Sequence, residues 1–243
     1  MARVQGQPFL TAAWRDLLMI NWAVDPALLM PHLPRGVELD AWEGRHFVSL
    51  VGFQFLDTRL WGVPIPFHQK FCEVNLRFYV RRRTAQETRR GVVFIREIVA
   101  RRAVTALARW LYNENYHTLP MRADVALRNG GYHVEYAWRD RAAWGHLAAE
   151  STAPWQAADP AAQFITEHYW GYTRQRDGGT MEYRVDHPVW RVRPTASFHV
   201  QGEFQKLYGD ALGHHLQCPP DSAFIAEGST VAVFRGQRLR EHG

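Results

Sequence analysis

Residues 71–79, FCEVNLRFY, alternate strictly between two kinds of side chain. As a β-strand, this stretch places four small or apolar side chains on one face: Cys72, Val74, Leu76 and Phe78. The other face carries an acid, an amide and a guanidinium between two aromatic rings, in the order Phe71, Glu73, Asn75, Arg77 and Tyr79. On an exposed sheet this row would be an ordinary solvated surface. Inside a closed barrel it would be a ligand site, because buried charges persist only when they are paired or functional.

Length and composition predict one soluble globular domain over residues 1–243. Hydrophobic residues make up 47% of the chain and charged residues 22%, which is enough for a substantial core. Cys72 and Cys218 suggest neither a disulfide framework nor a metal-binding pair. The first apolar run is interrupted at residues 14–16, WRD, and no stretch approaches the ~18 apolar residues of a membrane span. We therefore expect a cytoplasmic protein without a signal peptide.

The net charge of +5 rests almost entirely on arginine, because Lys70 and Lys206 are the only lysines. Arginines cluster at residues 81–83, 89–90 and 101–102. We interpret the first two clusters as solvated charge beside a turn. Nucleic-acid binding would need a basic stripe with interleaved aromatic residues, and the sequence shows none. We expect a small-molecule partner rather than nucleic acid or a membrane, while homo-oligomerisation stays open.

Short strands with hairpin turns dominate the predicted elements. Asp-Pro pairs predict helices at residues 25–33 and from 159 to 172, apolar spacing predicts another at 104–111, and a surface helix is expected at 203–212. Strands are predicted at 12–24, 36–40, 46–58, 71–81, 91–99, on both sides of the turn at 129–131, and at 180–186, 190–200 and 229–234. Strands and helices do not alternate regularly, so we expect an antiparallel α+β or barrel-like domain.

Arg96 and Glu97 form a second charged pair at the end of the strand that follows residues 71–81. If they lie opposite the polar row, four charges converge on one site. The alternative is a helix-entry cluster with the arginines at 101–102. The sequence leaves both possibilities open.

Two further groups of polar residues are candidates. Tyr116 and His117 follow the helix predicted at 104–111, where one of them can place a titratable group in a cleft; a capping turn with a buried tyrosine is equally compatible. Near residue 187, Pro188 fixes a bend that can aim His187 or Trp190 inward.

Several common site motifs are absent. The histidines lack the spacing of a metal site, and we expect no metal and no cofactor. The sequence contains no Gly-x-Ser-x-Gly elbow of a serine hydrolase and no glycine-rich phosphate-binding loop.

Several segments form a pattern that covers roughly residues 8 to 236. They are Asn21-Trp22 with Val24 and Pro26, Leu33-Pro34-x-Gly36, Val48-Ser49-Leu50-Val51-x-Phe53, Glu73-Val74-Asn75-Leu76-Arg77, Glu167-x-Tyr169 and His187-Pro188-x-Trp190. Together they resemble the YqjF-like proteins, a family of unknown function placed near acetoacetate decarboxylase. The resemblance implies an α+β, mainly β fold: a closed antiparallel barrel of the acetoacetate-decarboxylase-like type, with extra strands and a few peripheral helices around an internal cavity.

The resemblance does not bring the decarboxylase mechanism with it. That enzyme forms a Schiff base through a lysine, whereas the positions that would correspond to it here hold Arg101 and Arg102, or Tyr116 and His117, depending on the alignment. An arginine cannot replace a primary amine in this chemistry. Glu73, in contrast, matches a cavity glutamate of the superfamily.

These observations lead to the hypothesis that a polar cavity binds a small organic acid or a carbonyl compound. Whether the protein also catalyses a lyase-type reaction without a Schiff-base lysine is left open. The expected catalytic residues are Glu73, Tyr116 and His117, and the expected ligand-binding residues are Asn75, Arg77, Arg96, Glu97, His187 and Trp190. The alternative is a ligand-binding or sensor protein without catalysis, whose cavity would be mostly apolar.

Overall fold

The computed structural model describes residues 6–64, 69–100, 115–128, 130–141 and 143–239. The strands are β1 (Leu10–Val24), β2 (Glu38–Leu39), β3 (His46–Leu60), β4 (Val63–Pro64), β5 (Phe71–Arg83), β6 (Thr88–Val99), β7 (Tyr116–Thr118), β8 (Met121–Arg128), β9 (Gly131–Asp140), β10 (Ala143–Ser151), β11 (Gln156–Ala157), β12 (Trp170–Arg174), β13 (Thr180–Asp186), β14 (Arg191–Pro194), β15 (Ser197–Gln201), β16 (Ser222–Val233) and β17 (Gln237–Arg238). The fold is mainly β, as expected.

The helices are short. They are α1 (Pro26–Leu29), a 3₁₀ turn (Met30–His32), α2 (Pro160–Thr166), α3 (Phe204–Tyr208) and α4 (Asp210–His215). No helix within the described ranges is long and apolar enough to cross a membrane. The helix predicted at residues 104–111 lies outside the described residues.

The larger sheet contains a path of paired strands that returns to its start. Its order is β16–β1–β3–β5–β6–β12–β13, and β13 pairs again with β16. Most pairings are antiparallel, but β6 pairs in parallel with β12 and β7, which the sequence analysis did not predict. A parallel pairing needs a long crossover connection, and three strands of the smaller sheet, β8 to β10, lie together with α2 in the connection between β6 and β12.

The smaller sheet, with the order β15–β10–β9–β8, packs against the larger one. The ring of Tyr136 lies directly on Gly52, where an added Cβ would come within 2.4 Å of a ring carbon. The Tyr136 hydroxyl donates to the backbone oxygen of Asp16 at 2.9 Å. Asp16 lies in a β-bulge of β1 with φ 57°, so this bulge turns its backbone toward the smaller sheet.

β5 lies between β3 and β6, and its two faces belong to two different core clusters. Val74, Leu76 and Phe78 are fully buried and share a cluster with residues of the smaller sheet. Phe71 and Tyr79, on the other face, belong to the second cluster. The strand is therefore buried on both sides, which was one of the two possibilities that its alternation left open.

Two predicted helices differ from the structure. Asp159 does cap α2, accepting from the backbone of Ala162 at 2.8 Å, but the helix ends at Thr166 and residues 170–174 form β12. Aromatic and β-branched side chains there favour a strand, and pairing with β6 supplies hydrogen bonds that a helix would forgo. Residues 203–212 form α3 and the start of α4, whose apolar side chains are buried in the core rather than exposed on the surface.

The arginines at 81–83 and 89–90 lie on β5 and β6 rather than in a loop, and of these five only Arg83 is exposed. They form ion pairs: Arg81 and Arg83 with Glu38, Arg82 and Arg89 with Glu182, and Arg90 with Asp40. The prediction failed because both strands extend further than expected, so that Arg81 lies opposite Arg90 and Arg82 opposite Arg89. Like charges opposite each other are destabilising, and the acids compensate for this repulsion.

Candidate functional site

The polar row of β5 lines a cavity of about 150 Å³. Glu73 and Asn75 are each 2% exposed and Arg77 is 8% exposed, so the row faces inward rather than toward solvent. The walls are mostly apolar, and their aromatic members are Phe9, Trp14, Phe53, Phe55, Phe71, Phe94, Tyr116, Trp170, Tyr183 and Trp190. Of the two interpretations of the row, the structure shows the inward-facing one.

Glu73 lies at the centre of a small hydrogen-bonded group. Its Oε1 accepts from Asn75 Nδ2 at 2.9 Å, and its Oε2 accepts from the hydroxyl of Tyr116 at 3.1 Å. β7 brings Tyr116 to this point because it pairs in parallel with β6, placing Tyr116 beside Glu97. Glu97 in turn lies opposite Asn75 across the β5–β6 pair and also lines the cavity. An acid, an amide and a phenol thus converge on one wall.

Arg77 carries a buried positive charge. Its Nη2 donates to the carbonyl oxygen of Ile165 at 3.4 Å and lies 4.0 Å from Met19 Sδ. Its guanidinium carbon lies 5.8 Å from the centre of the Tyr79 ring. Within the described ranges, no carboxylate pairs with this guanidinium and its Nε has no hydrogen-bond partner. Such a group is suited to bind a carboxylate through two parallel hydrogen bonds.

His168 also lines the cavity, and the sequence analysis did not select it. Its Nε2 lies 3.6 Å from Asp40 Oδ2, and its ring packs on Tyr79 at 4.7 Å. Burial lowers the pKa of His168 to about 4, and the charges of Arg90 and Arg77 act in the same direction. Although burial opposes it, the nearby His168 ring and the Arg90 guanidinium, which donates to Asp40 Oδ2 at 2.8 Å, hold the pKa of Asp40 well below its usual range. His168 is therefore a neutral ring at neutral pH.

The prediction missed His168 because it treated residues 167–169 as part of a helix with a mixed core and surface face. No glycine or proline marks the end of α2, so the sequence offers no clear signal at this point. The sequence carries a clearer signal for the aromatic wall. Phe53 and Phe55 are two residues apart, so they lie on the same face of β3, where they pair with Glu73 and Phe71 of the polar row.

His187 and Trp190 lie where Pro188 was predicted to aim them. Both line the cavity, and their rings stack at 4.2 Å. Burial lowers the pKa of His187, and the charge of Arg77 acts in the same direction. Trp190 is fixed from the other side, because its Nε1 donates to Ser229 Oγ at 2.9 Å.

Two predicted site residues do not line the cavity. Arg96 lies opposite Leu76 in the β5–β6 pairing and so shares the face of the apolar core, because neighbouring residues on a strand point in opposite directions. His117 is turned away from Tyr116 for the same reason, and its Nε2 lies 3.2 Å from Asn115 Oδ1. The four charges expected to converge therefore reduce to Glu73, Arg77 and Glu97.

Neither lysine lines the cavity. Lys70 is exposed, and Lys206 pairs with Glu203 on α3 with 58% of its side chain exposed. Within the described ranges, no group of three or more His, Cys, Asp or Glu side chains has the arrangement of a metal site.

Comparison with known sequences shows to which family the chain is similar. Residues 11–230 match the DUF2071 family, which is described as an uncharacterized conserved protein. The uncharacterized protein YqjF of Bacillus subtilis (strain 168) is 29% identical over 181 residues, which cover 72% of each chain. The resemblance drawn from the sequence segments is thereby confirmed.

Solved structures show the same fold at low sequence identity. Acetoacetate decarboxylase from Legionella pneumophila matches with a TM-score of 0.67 and 12% identity, over 97% of this chain and 89% of that chain. The enduracididine biosynthesis enzyme MppR complexed with pyruvate matches with a TM-score of 0.66 and 13% identity, over 99% of this chain and 93% of that chain. These matches confirm the acetoacetate-decarboxylase-like fold.

Proposed function

The chain belongs to the DUF2071 family, and for this member we propose that the cavity binds a small organic acid or a carbonyl compound. Arg77 is the observation that carries the proposal. A buried cation is costly unless it is paired, and within the described ranges this one has only a carbonyl oxygen and a thioether as polar contacts. An anionic ligand would supply the missing partner.

We also propose that the larger sheet closes into a barrel around this ligand. The return of the strand path through the β13–β16 pairing supports closure. The cavity-lining residues come from strands along that path, β1, β3, β5, β6, β12, β13 and β16, and from the segments next to them. A closed wall would exclude water, and this strengthens the attraction between Arg77 and a carboxylate.

If the bound compound is converted, Glu73 is the proposed acid or base. Tyr116 and Asn75 both donate to it, which fixes the carboxylate in the cavity wall. A Schiff base has no part in the proposed chemistry, because neither lysine reaches the cavity. Arg96 and His117 have no part either, since both lie outside it.

A second candidate function is ligand binding without catalysis. Two observations favour it: the cavity wall is mostly apolar, and both oxygens of Glu73 already accept hydrogen bonds from neighbouring side chains. A carboxylate satisfied in this way can serve simply to position Tyr116 and Asn75 around a ligand.

Identification of the co-purified ligand tests the binding proposal. The protein is purified without additives and denatured, and the released small molecules are identified by mass spectrometry. We expect an organic acid or carbonyl compound from the wild type and its loss from Arg77→Gln. Arg191→Gln is the matched control, because Arg191 is exposed and pairs only with Glu227. Equal release from wild type and Arg77→Gln, or release of no such compound from the wild type, would refute the proposal.

The same compound then separates catalysis from binding. Wild-type protein and Glu73→Gln are incubated with it, and product formation is followed by mass spectrometry. Conversion that is lost in Glu73→Gln identifies an enzyme. Binding by both proteins without conversion identifies a ligand-binding protein.

A further inference from the structure

The cavity has two chemically different ends along β5. The polar row runs from Phe71 to Arg77, and at roughly 3.3 Å per residue these two Cα atoms lie about 20 Å apart. Arg77 and His168 mark one end. At the other end, Phe71 pairs with Phe55 of β3. A ligand that fills the cavity therefore contacts a cation at one end and aromatic rings at the other.

The end opposite Arg77 is an aromatic box, which we define as Trp14, Phe53, Phe55, Phe71 and Trp190. Phe55 and Phe71 stack at 4.5 Å with 12° between their planes. Trp14 meets Phe53, Phe55 and Trp190 edge-on at 5.3, 5.7 and 6.4 Å. Edge-to-face and stacked arrangements are the geometries that aromatic rings prefer, and a ligand ring can join them.

Two polar atoms near the aromatic box distinguish it from ordinary core packing. Trp14 Nε1 and Thr58 Oγ1 are buried and have no hydrogen-bond partner within the described ranges. Both residues line the cavity. Buried polar groups are normally satisfied, so the lack of partners at this end is characteristic of a surface that is completed by a ligand.

The volume of the cavity is sufficient for one aromatic ring. Its volume is about 150 Å³, and an apolar cavity of roughly this volume accepts a benzene molecule. A compact acid of a few atoms would contact Arg77 but leave the aromatic box empty, losing the contacts of its walls.

We infer that the ligand is an aromatic monocarboxylate, with its carboxylate on Arg77 and its ring in the aromatic box. This inference rests on the proposed function, because it assumes that Arg77 binds an acid. The acid requires a short linker between carboxylate and ring, since Phe53 lies opposite Glu73, four residues from Arg77 along the strand.

Binding of matched probes to the purified protein tests the inference by isothermal titration calorimetry. The probes are 4-phenylbutyrate, butyrate, which lacks the ring, 4-phenylbutanamide, which lacks the charge, and 4-cyclohexylbutyrate, whose ring is not aromatic. Any co-purified ligand is first removed by unfolding and refolding. We expect 4-phenylbutyrate to bind at least roughly tenfold more tightly than butyrate, because it buries a ring. It should also bind roughly two- to tenfold more tightly than 4-cyclohexylbutyrate.

Variants assign each part of the probe to its end of the cavity. Arg77→Gln should weaken 4-phenylbutyrate by roughly 10- to 100-fold and leave 4-phenylbutanamide unchanged. Trp190→Phe and Phe55→Leu should weaken 4-phenylbutyrate but not butyrate, and circular dichroism establishes that each variant is folded. Two variants are used because Phe55 and Trp190 are both also part of the core. Arg191→Gln should bind all probes like the wild type.

The outcomes separate this inference from the proposed function. Equal binding of butyrate and 4-phenylbutyrate, both lost in Arg77→Gln, would overturn the aromatic ligand and leave acid binding intact. Equal binding of 4-cyclohexylbutyrate and 4-phenylbutyrate would overturn the aromatic requirement alone. Binding of 4-phenylbutyrate that is unchanged in Arg77→Gln would overturn both. Failure of the wild type to bind 4-phenylbutyrate overturns the inference, while the released-ligand experiment still decides the proposed function.

Discussion

Two buried charged clusters near β5 and β6 have opposite arrangements. In the first, Glu182 is fully buried and accepts from Arg89 Nη1 at 2.5 Å, Arg82 Nη1 at 3.2 Å, the Tyr172 hydroxyl at 3.0 Å and Gln237 Nε2 at 3.3 Å. Every lone-pair direction of this carboxylate is in use. The cluster ties β5, β6, β12, β13 and β17 together and leaves no room for a ligand.

In the second cluster, Arg77 has the same 8% exposure as Arg89. Arg89 has two carboxylates, whereas Arg77 has none within the described ranges. The difference shows that this fold supplies carboxylates to a buried arginine that has a structural role. A buried arginine that is left without a carboxylate beside a cavity therefore points to binding rather than to stability.

The largest effect is expected at the saturated cluster. Glu182→Ala leaves Arg82 and Arg89 facing each other without their common acid, and removal of one partner from a buried pair costs about 3–5 kcal/mol. Urea denaturation measures the free energy of unfolding. Glu38→Ala is the control: Glu38 also pairs with two arginines but is 45% exposed, so its loss should cost about 1 kcal/mol or less. Equal losses at the two positions would remove the distinction between buried and exposed pairs.

His168 is an intermediate case, since it faces Asp40 at 3.6 Å and also the charges of Arg90 and Arg77. Its pKa is about 4 in the native state and 6.5 in the unfolded chain, so between these values the unfolded chain binds more protons. Stability should therefore fall as the pH is lowered through this window, by up to about 1.4 kcal/mol per pH unit from this group.

The contribution of His168 is measured as the difference between wild type and His168→Gln. Between about pH 5 and pH 6.5, Asp40 is largely ionised in both states. The other titrating groups are common to both proteins, so the difference in their urea denaturation reports on His168. The variant should show a shallower decline than the wild type. Parallel pH profiles would mean that the pKa of His168 is the same in the native and unfolded states, because attraction to Asp40 offsets the effect of burial.

The smallest effect on stability is expected at Arg77. Arg77→Met removes a buried charge that has no carboxylate partner, so the free energy of unfolding should change by about 1 kcal/mol or less, or rise. Arg89→Met, at equal exposure, should lose several times as much. If the two substitutions cost the same in urea denaturation, Arg77 is a structural residue and the contrast between the clusters disappears.

The sequence predicted those features that depend on neighbouring residues. The strict alternation at residues 71–79 was sufficient to assign both faces of β5, because side chains on a strand alternate by geometry alone. Asp159 was correctly identified as a helix cap, because a cap is also local. The sequence therefore predicted which side chains form the polar row, while the structure shows that this row lines the cavity.

Features that depend on distant contacts were missed. Glu182 meets Arg82 and Arg89 across about 90 to 100 residues of chain, and no local pattern records that pairing. The position of Phe94 in the cavity wall follows from a register shift between Leu76 and Arg77. No local sequence pattern predicts this shift. His168 was missed because a strand partner, not the local sequence, decides where α2 gives way to β12.

The two faces of β5 also have a consequence for evolution and design. The apolar face packs into the core through Val74, Leu76 and Phe78. The polar face lines the cavity through Glu73, Asn75 and Arg77. If the proposed ligand binds in the cavity, a mutation at one of the odd-numbered positions would change which ligand is preferred without altering the side chains of the apolar face. Under the proposed function, ligand preference would then be able to change while the architecture persists, and three codons of one strand would be a compact target for redesign.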